Sequence, residues 1–259
     1  MISILDTLWQ LHNDPDSDAS GLASATGLDA DEGQAIQLQL LERYLDAGEE
    51  LAGWKIGMTS GESRDALGPG IRPFGFILRS RSFDDGARVP RSRLYRGGVE
   101  NELCFFIGSR LGDGANSELA KAALAGLAPG FEINQKRLPA GSPAGLRVAD
   151  NLSNWGIVAG NPVAPDELTS PLPELTVTLG QVTDRQPQPI EVVASAGHMD
   201  DHYQSLAILA QRLADFGHEL APGQRVITGA YGKTPFAPGM FYGDFNLGIG
   251  QVNFVITDA

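Results

Sequence analysis

The sequence contains few of the residues that several classes of functional site require. It has one cysteine, Cys104, and four histidines among 259 residues. A single cysteine excludes an intrachain disulfide and fits a reducing compartment. No apolar run approaches the length that spans a bilayer, and the first residues lack the basic start and the cleavage site of a signal peptide. We therefore expect a cytoplasmic protein that does not insert into membranes.

Basic residues are also scarce, with 19 Lys and Arg against 32 Asp and Glu, so the formal net charge is −13. Nucleic acids and anionic membranes are polyanions, and a strongly acidic protein is repelled by both. We expect neither as a partner. A small anionic substrate is not excluded, because a metal ion or a local lysine can reverse the charge inside a pocket.

The histidines lie at the two ends of the chain, at His12, His198, His202 and His218. None falls between residues 13 and 197, where the carboxylates described below are found. The sequence also lacks an H-E-x-x-H zinc motif, a G-x-S-x-G nucleophile elbow and a P-loop. This distribution argues against a histidine-ligated metal.

The pattern of apolar residues changes near residue 50. Residues 1–50 contain two segments with apolar residues near a 3.6 period, which predicts a small helical N-terminal subdomain. Residues 51–259 contain short apolar runs separated by Gly, Pro and polar turns, which predicts strands. Two stretches of this part are predicted to be helical, NSELAKAALAGLA and DDHYQSLAILAQRLADFGHEL. The predicted fold class is α+β.

Two glutamates precede a buried strand in the stretch VENELCFFIG. Glu100 and Glu102 stand two residues apart, so in a strand they share one face. A third carboxylate, Glu132, lies in the apolar run PGFEINQ. Three buried carboxylates would repel one another, and a hard divalent cation such as Mg²⁺, Mn²⁺ or Ca²⁺ would relieve the repulsion. The alternative is a solvated edge strand whose glutamates point to water.

Three further stretches are candidates for the same site. Lys55 lies in GWKIGMTS between apolar neighbours, where it could hold an anionic substrate or only protect a sheet edge. Asp150 and Asn151 lie in VADNLSNWG, which is equally a turn sequence. Thr228 and Gly229 follow a strand in VITGAYGKTP, where backbone N–H groups could meet a carboxylate.

Taken in order, these stretches resemble the hydratase/decarboxylase branch of the fumarylacetoacetate hydrolase superfamily, which includes 2-keto-4-pentenoate hydratases and 4-oxalocrotonate decarboxylases. The resemblance also involves PFGFIL, LADFGHELAPGQRVITGA and GDFNLGIGQVNFVI, and it covers nearly the whole chain. It implies a rolled mixed β-sheet core with outer helices, in a homo-oligomer.

The resemblance also implies site chemistry. It implies that Glu100, Glu102 and Glu132 hold Mg²⁺ or Mn²⁺, that Lys55 faces the substrate, and that the Ala-Asp-Asn sequence ending at Asn151 lines the pocket. The implied reaction is the addition of water to a 2-hydroxy-2,4-dienoate, which gives a 4-hydroxy-2-oxo acid. Asp150 is then our candidate for handling the proton of water. β-Diketone hydrolysis is disfavoured, because no histidine is placed to form the His–Glu pair of the superfamily's C–C hydrolases.

Two alternatives stay open. A 4-oxalocrotonate-type decarboxylase would use the same metal and lysine, and Arg137 or Arg147 could meet the second carboxylate of its substrate. A non-catalytic partner subunit, stabilised by the same metal, would keep the three glutamates but would not need Lys55. Pro73 stands where the family often has an acidic residue, and Leu152, Asn154 and Trp155 are bulkier than is common there, so the pocket and the substrate are expected to differ.

Overall fold

The computed structural model describes residues 3–258. Within that range the α-helices are α1 (Ile4–Asn13), α2 (Ala30–Asp46), α3 (Ser117–Ala122), α4 (Ala144–Ala149) and α5 (His202–Asp215). The strands are β1 (Leu51–Ile56), β2 (Phe74–Leu78), β3 (Ser82–Asp84), β4 (Ala87–Pro90), β5 (Gly97–Ile107), β6 (Leu124–Gln135), β7 (Asn154–Ala159), β8 (Thr176–Thr183), β9 (Gln186–Ala194), β10 (Arg225–Pro235), β11 (Gly239–Phe245) and β12 (Gly250–Thr257).

The strands form two mixed sheets. The larger has the order β2-β1-β10-β5-β6-β7-β3, and the smaller has the order β4-β12-β11-β8-β9. Most neighbours are antiparallel, while β1 pairs with β10, β3 with β7 and β4 with β12 in parallel. Phe131 of the larger sheet packs edge-to-face on Phe254 of the smaller one, with ring centroids 5.0 Å apart. The predicted α+β class and rolled mixed β-sheet core are confirmed.

Helices cover the other face of the larger sheet. One apolar core joins Leu8 of α1, Leu41 of α2, Trp54 of β1 and Leu209 of α5, all of them fully or almost fully buried. Helix α2 begins with a capping box, because Asp29 accepts from the Glu32 backbone N–H and the Glu32 side chain accepts in return. The N-terminal helices therefore share a core with the β-rich part, and a domain boundary near residue 50 stays a prediction.

The structure differs from the predicted secondary structure in two places. The predicted helix NSELAKAALAGLA ends at Ala122, because the chain from Leu124 onward pairs along β5 as strand β6. A helix that the sequence did not predict, α4, follows Pro143 and carries the chain into the Asp150 region. Tertiary pairing outweighs helix propensity in the first case, and in the second the helix is too short for a periodic signal.

Among the described residues, no helix combines the length and apolar character needed to cross a lipid bilayer.

Candidate active site

A cavity of about 660 Å³ opens where β1, β5, β6 and β10 lie side by side in the larger sheet. Its lining includes Lys55 of β1, Glu100 and Glu102 of β5, and Glu132 of β6. Because these strands lie at the centre of the sheet and pair on both sides, their backbone is fixed by the ladders. The cavity floor is therefore rigid, and the residues that the sequence singled out on strands meet there.

The three glutamates form one cluster. Glu100 lies directly opposite Glu132 in the β5–β6 ladder, and Glu102 follows two residues later on the same face. One carboxylate oxygen from each lies within 4.8 Å of the others. Glu102 and Glu132 are 2% and 1% exposed, while Glu100 is partly buried at the cavity mouth. The alternative of glutamates that point to water from an edge strand is excluded by this burial.

Burial makes Glu100 and Glu102 costly to ionise. It raises the pKa of Glu100 to about 7, with the negative charge of Glu132 adding to the effect. Burial, followed by the charge of Glu132, also raises the pKa of Glu102 well above its ordinary value. Among the described residues, one lysine lies within hydrogen-bond distance of these carboxylates.

Lys55 forms a buried ion pair with Glu132. Its Nζ donates to both carboxylate oxygens, at 2.6 Å to Oε1 and 2.7 Å to Oε2, and Asn154 Nδ2 donates to Oε1 at 2.8 Å. Burial alone would lower the pKa of Lys55, but the charges of Glu132, Glu102 and Glu100 outweigh it and raise that pKa. Lys55 is therefore a cation at neutral pH, and its two hydrogen bonds fix the orientation of Glu132.

The donor set fits a divalent cation. With all three carboxylates ionised, the cluster and the paired lysine would carry a net charge of −2 in a buried space, and Mg²⁺ or Mn²⁺ would balance it. All-oxygen ligands are the set that these hard ions prefer. Glu102 presents one oxygen to the Gly229 backbone N–H, at 2.6 Å, which orients the other oxygen toward the cluster. Glu100, Glu102 and Glu132 are thus the residues that would hold the ion.

The raised pKa values predict how the Mn²⁺ affinity and the free energy of unfolding depend on pH. For Glu100 the ordinary pKa is 4.5 and the folded pKa is about 7. Between these values the folded, metal-free protein binds more protons than the unfolded chain, so its free energy of unfolding falls as pH rises. Because Mn²⁺ competes with those protons, its affinity rises across the same window. We expect thermal melts with and without Mn²⁺ to diverge as pH rises from 4.5 to 7; a constant difference would contradict this site.

Thr228 and Gly229 lie beside the cluster but play different parts. Gly229 lines the cavity, and its N–H is occupied by Glu102 rather than free for a substrate. Its φ is +117°, and a Cβ there would lie 2.1 Å from Thr59 Oγ1. Thr228 is buried behind the cavity wall, where its hydroxyl meets His202 Nδ1 at 2.9 Å. The Thr228 hydroxyl thus pairs within the protein, and its side chain does not line the cavity.

Asp150 lies behind the cavity wall. It is fully buried, and its Oδ1 accepts from Arg137 Nε at 2.8 Å and from His12 Nε2 at 2.9 Å. Burial would raise the pKa of Asp150, but Arg137 and the hydrogen bond from His12 outweigh it and lower that pKa. Asp150 does not line the cavity, so we do not retain it as the group that takes the proton of water. Arg137 is held in the same place and cannot meet a substrate carboxylate.

The residues after Asp150 form a strained turn. Asn151, Leu152 and Ser153 have φ values of 57°, 50° and 65°, a left-handed conformation that costs non-glycine residues roughly 1–2 kcal/mol each. Asn151 uses its side chain to pair with Phe76, accepting from its N–H at 2.7 Å and donating to its C=O at 3.0 Å. The predicted contact of Asn151 with substrate is therefore replaced by a backbone clamp. The turn places Leu152 and Ser153 on the cavity wall instead.

Sequence reasoning missed several wall residues. His198 lies on the cavity wall with its Nε2 3.1 Å from the Ala230 carbonyl oxygen, although it is far from the carboxylates in sequence. The bridge between Ser60 and Met199 brings that segment to the site, and no local sequence signal marks it. Lys136 and Arg147 also line the cavity. Of the two arginines considered for a second substrate carboxylate, the structure thus leaves Arg147.

Comparison with known proteins gives the family. No protein-family model matches the sequence. A 2-hydroxypent-2,4-dienoate hydratase from Pseudomonas putida is 31% identical over 185 residues, which cover 70% of this chain and 81% of that protein. This chain belongs to the hydratase/decarboxylase branch of the fumarylacetoacetate hydrolase superfamily. A 4-oxalocrotonate decarboxylase from Pseudomonas sp. strain CF600 is 27% identical over 208 residues, 79% of this chain and 76% of that protein.

A solved structure from this branch of the superfamily has the same fold. It is a 4-oxalocrotonate decarboxylase from Pseudomonas putida G7, complexed with magnesium and adipate. The TM-score is 0.85 at 22% identity, and the match covers 98% of this chain and 97% of that one. Named relatives in the superfamily branch are hydratases and decarboxylases, both of which are lyases.

Proposed function

We propose that this protein is a divalent-metal-dependent hydratase that adds water to a 2-hydroxy-2,4-dienoate, in the catabolism of aromatic compounds. The observation that carries the proposal is the buried cluster of Glu100, Glu102 and Glu132 beside the Lys55 cation, in a cavity large enough for a small acid. The family membership supports it, because the relatives include enzymes with that activity by name. Mg²⁺ or Mn²⁺ is the proposed cofactor.

The residues divide the chemistry among them. When bound, the cation would supply Lewis-acid stabilisation of negative charge on the 2-oxygen of the substrate. The Lys55 ammonium, held beside the cluster by Glu132, would add positive charge there and donate a proton from Nζ. Asn154 donates its side-chain amide to Glu132 Oε1, which Lys55 also meets, so a second donor helps to hold that carboxylate in place.

The overall reaction has two balanced stages. Ketonisation moves the proton of the 2-hydroxyl group to the far carbon of the dienoate, giving a 2-oxo acid with one conjugated double bond. Water then adds across that bond, its hydroxyl to C4 and its proton to C3, giving the 4-hydroxy-2-oxo acid. With Asp150 behind the wall, Glu62, Glu191 and His198 are candidates on the cavity wall for exchanging that proton.

A second candidate function is a 4-oxalocrotonate-type decarboxylation. The observation that favours it is Arg147, an exposed residue of α4 that lines the cavity and could meet a second carboxylate. The same cation and lysine would accept the electrons left when that carboxylate departs as CO₂. The non-catalytic partner subunit is the third possibility, and the ordered Lys55–Glu132 pair beside an open cavity argues against it.

A product assay separates these functions. We expect the purified protein with Mn²⁺ to hydrate 2-hydroxypenta-2,4-dienoate, seen as loss of diene absorbance and formation of the 4-hydroxy-2-oxo acid by mass spectrometry. Release of CO₂ from 4-oxalocrotonate, without hydration of the monoacid, would replace the hydratase by the decarboxylase. Bound metal without turnover of any 2-hydroxy-dienoate or oxalocrotonate-like acid would favour the non-catalytic partner subunit. The homo-oligomer stays a prediction, as does the absence of nucleic-acid and membrane partners.

A further inference from the structure

The strained turn 151–153 is braced at both ends by one side chain. Arg137 Nη2 donates to the Asp150 carbonyl oxygen at 3.1 Å and to the Asn154 carbonyl oxygen at 3.2 Å, while Nε donates to the Asp150 carboxylate. These acceptors lie immediately before and immediately after the left-handed residues. The guanidinium therefore fixes the distance that the turn must span.

The brace is anchored to the N-terminal helix. His12, near the end of α1, donates from Nε2 to Asp150 Oδ1, and its Nδ1 accepts from the Tyr44 hydroxyl of α2 at 3.2 Å. Burial and the neighbouring Arg137 lower the pKa of His12 to about 4, so the imidazole is neutral at neutral pH and one proton arrangement satisfies both bonds. Asp150 Oδ1 thus accepts from two donors, one on α1 and one on the segment that follows β6.

The other end of the brace reaches the carboxylate cluster. Asn154, whose backbone Arg137 holds, donates its side-chain amide to Glu132 Oε1, the same oxygen that Lys55 meets. Leu152 and Ser153, which the turn carries, form part of the cavity wall. A continuous set of hydrogen bonds therefore runs from α1 to Glu132.

We propose that His12, Asp150 and Arg137 are positioning residues, which hold the left-handed turn so that Asn154 orients Glu132 and Leu152 and Ser153 complete the cavity wall. The inference rests on the proposed function, because the positioned groups belong to the proposed active site. The three positioning residues themselves do not line the cavity. It also gives the helical N-terminal segment a part in the site: α1 supplies the side chain that anchors Asp150.

A purely structural role would not require this chemistry. Buried ionic groups can often be replaced by apolar residues of similar volume without loss of stability. Here His12, Asp150 and Arg137 hold residues 151–153 in a left-handed conformation that non-glycine residues disfavour. This turn lies at the edge of a cavity, and strained backbone conformations cluster at functional sites. The two roles are distinguishable because positioning acts on turnover in the folded protein, whereas a structural role acts on the folded fraction.

The test compares His12→Ala with His12→Gln, whose amide can still donate to Asp150. For His12→Ala we expect kcat to fall about 10- to 100-fold in fully folded protein, the scale of a small misplacement of reacting groups. KM and Mn²⁺ affinity should change much less, and His12→Gln should restore most of kcat. Thr7→Val is the matched control, because it removes a buried hydroxyl from the same helix while His12 keeps both of its hydrogen bonds, and its kcat should stay near that of the wild type.

Amide hydrogen exchange supplies a readout that does not depend on activity. We expect faster exchange in peptides covering residues 150–156 in His12→Ala, with β5 and β6 unchanged. Arg137→Lys is a second variant, because lysine keeps the charge but cannot reach three acceptors in a fixed fork. Unchanged kcat or unchanged exchange of the turn in both variants would overturn the inference. If the wild-type protein turns over none of the acids, the proposed function fails, and the exchange comparison alone decides on the brace.

Discussion

Glu102→Gln is expected to abolish Mn²⁺ binding at concentrations that saturate the wild-type protein. The substitution keeps the shape of the side chain and an oxygen that can accept from the Gly229 N–H, so the backbone around it should not move. It removes one of the three carboxyl groups of a buried cluster in which one oxygen from each lies within 4.8 Å of the others, and a neutral amide is a weaker ligand for Mn²⁺ than a carboxylate. Loss of an outer partner of a metal ligand costs about 10- to 100-fold in affinity, and loss of a charged ligand should cost more.

The same substitution should stabilise the metal-free protein. Burial raises the pKa of Glu102, so at pH values above the ordinary pKa of glutamate this carboxyl group destabilises the folded state relative to the unfolded chain. Glutamine does not titrate and therefore has no such cost. We therefore expect a higher melting temperature for Glu102→Gln than for wild type without metal, and the reverse order with Mn²⁺. Such a crossing would separate loss of a ligand from misfolding.

Calorimetric titration with Mn²⁺ measures the first effect, and thermal melts measure the second. Glu191→Gln is the matched control, since Glu191 is a carboxylate on the same cavity wall that lies outside the three-glutamate cluster. Its Mn²⁺ affinity should equal that of the wild type. Equal affinity in Glu102→Gln would instead remove Glu102 from the proposed metal site.

The cluster could be predicted from sequence because strand geometry is regular. Two glutamates two residues apart must share a face, and the ladder that places Glu132 opposite Glu100 joins two apolar runs that are recognisable as strands. The resemblance to the family added what periodicity could not, namely that Glu132 joins Glu100 and Glu102 in one site. Lys55 was identified by the same signal, a charge inside a strand that is buried on both sides.

Residues on turns could not be placed in this way. The direction of the Asp150, Asn151 and Leu152 side chains depends on three consecutive left-handed residues, a conformation that local propensity disfavours and only tertiary contacts sustain. The sequence therefore identified the right segment but placed Asp150 and Asn151 on the cavity wall, whereas in the structure Leu152 and Ser153 line the cavity. His12 could not be connected with Asp150, because 138 positions separate them and a lone histidine on a helix carries no pattern.

Lys55→Ala is expected to lower turnover by about 10²- to 10⁴-fold, the usual contribution of one positioned proton donor or acceptor. Its raised pKa keeps the wild-type side chain protonated at neutral pH, so the loss is that of a fixed cation and donor rather than of a base. Glu132 keeps the hydrogen bond from Asn154 and its place in the β5–β6 ladder.

The metal should stay bound in Lys55→Ala. Removing one partner of a buried ion pair typically costs about 3–5 kcal/mol of stability when nothing replaces it, and a bound cation beside Glu132 would replace the missing charge. The variant is therefore expected to be less stable than wild type without Mn²⁺ and to recover most of the difference with it.

Rapid-mixing kinetics under saturating Mn²⁺ tests the loss of turnover, and Mn²⁺ binding measured in parallel tests whether the metal stays bound. Lys136→Ala is the control, because it removes a lysine from the same cavity wall without breaking a hydrogen bond to the cluster, and its turnover should fall far less. Wild-type turnover in Lys55→Ala would exclude Lys55 from the chemistry, while loss of Mn²⁺ binding would show that its charge organises the ligands instead.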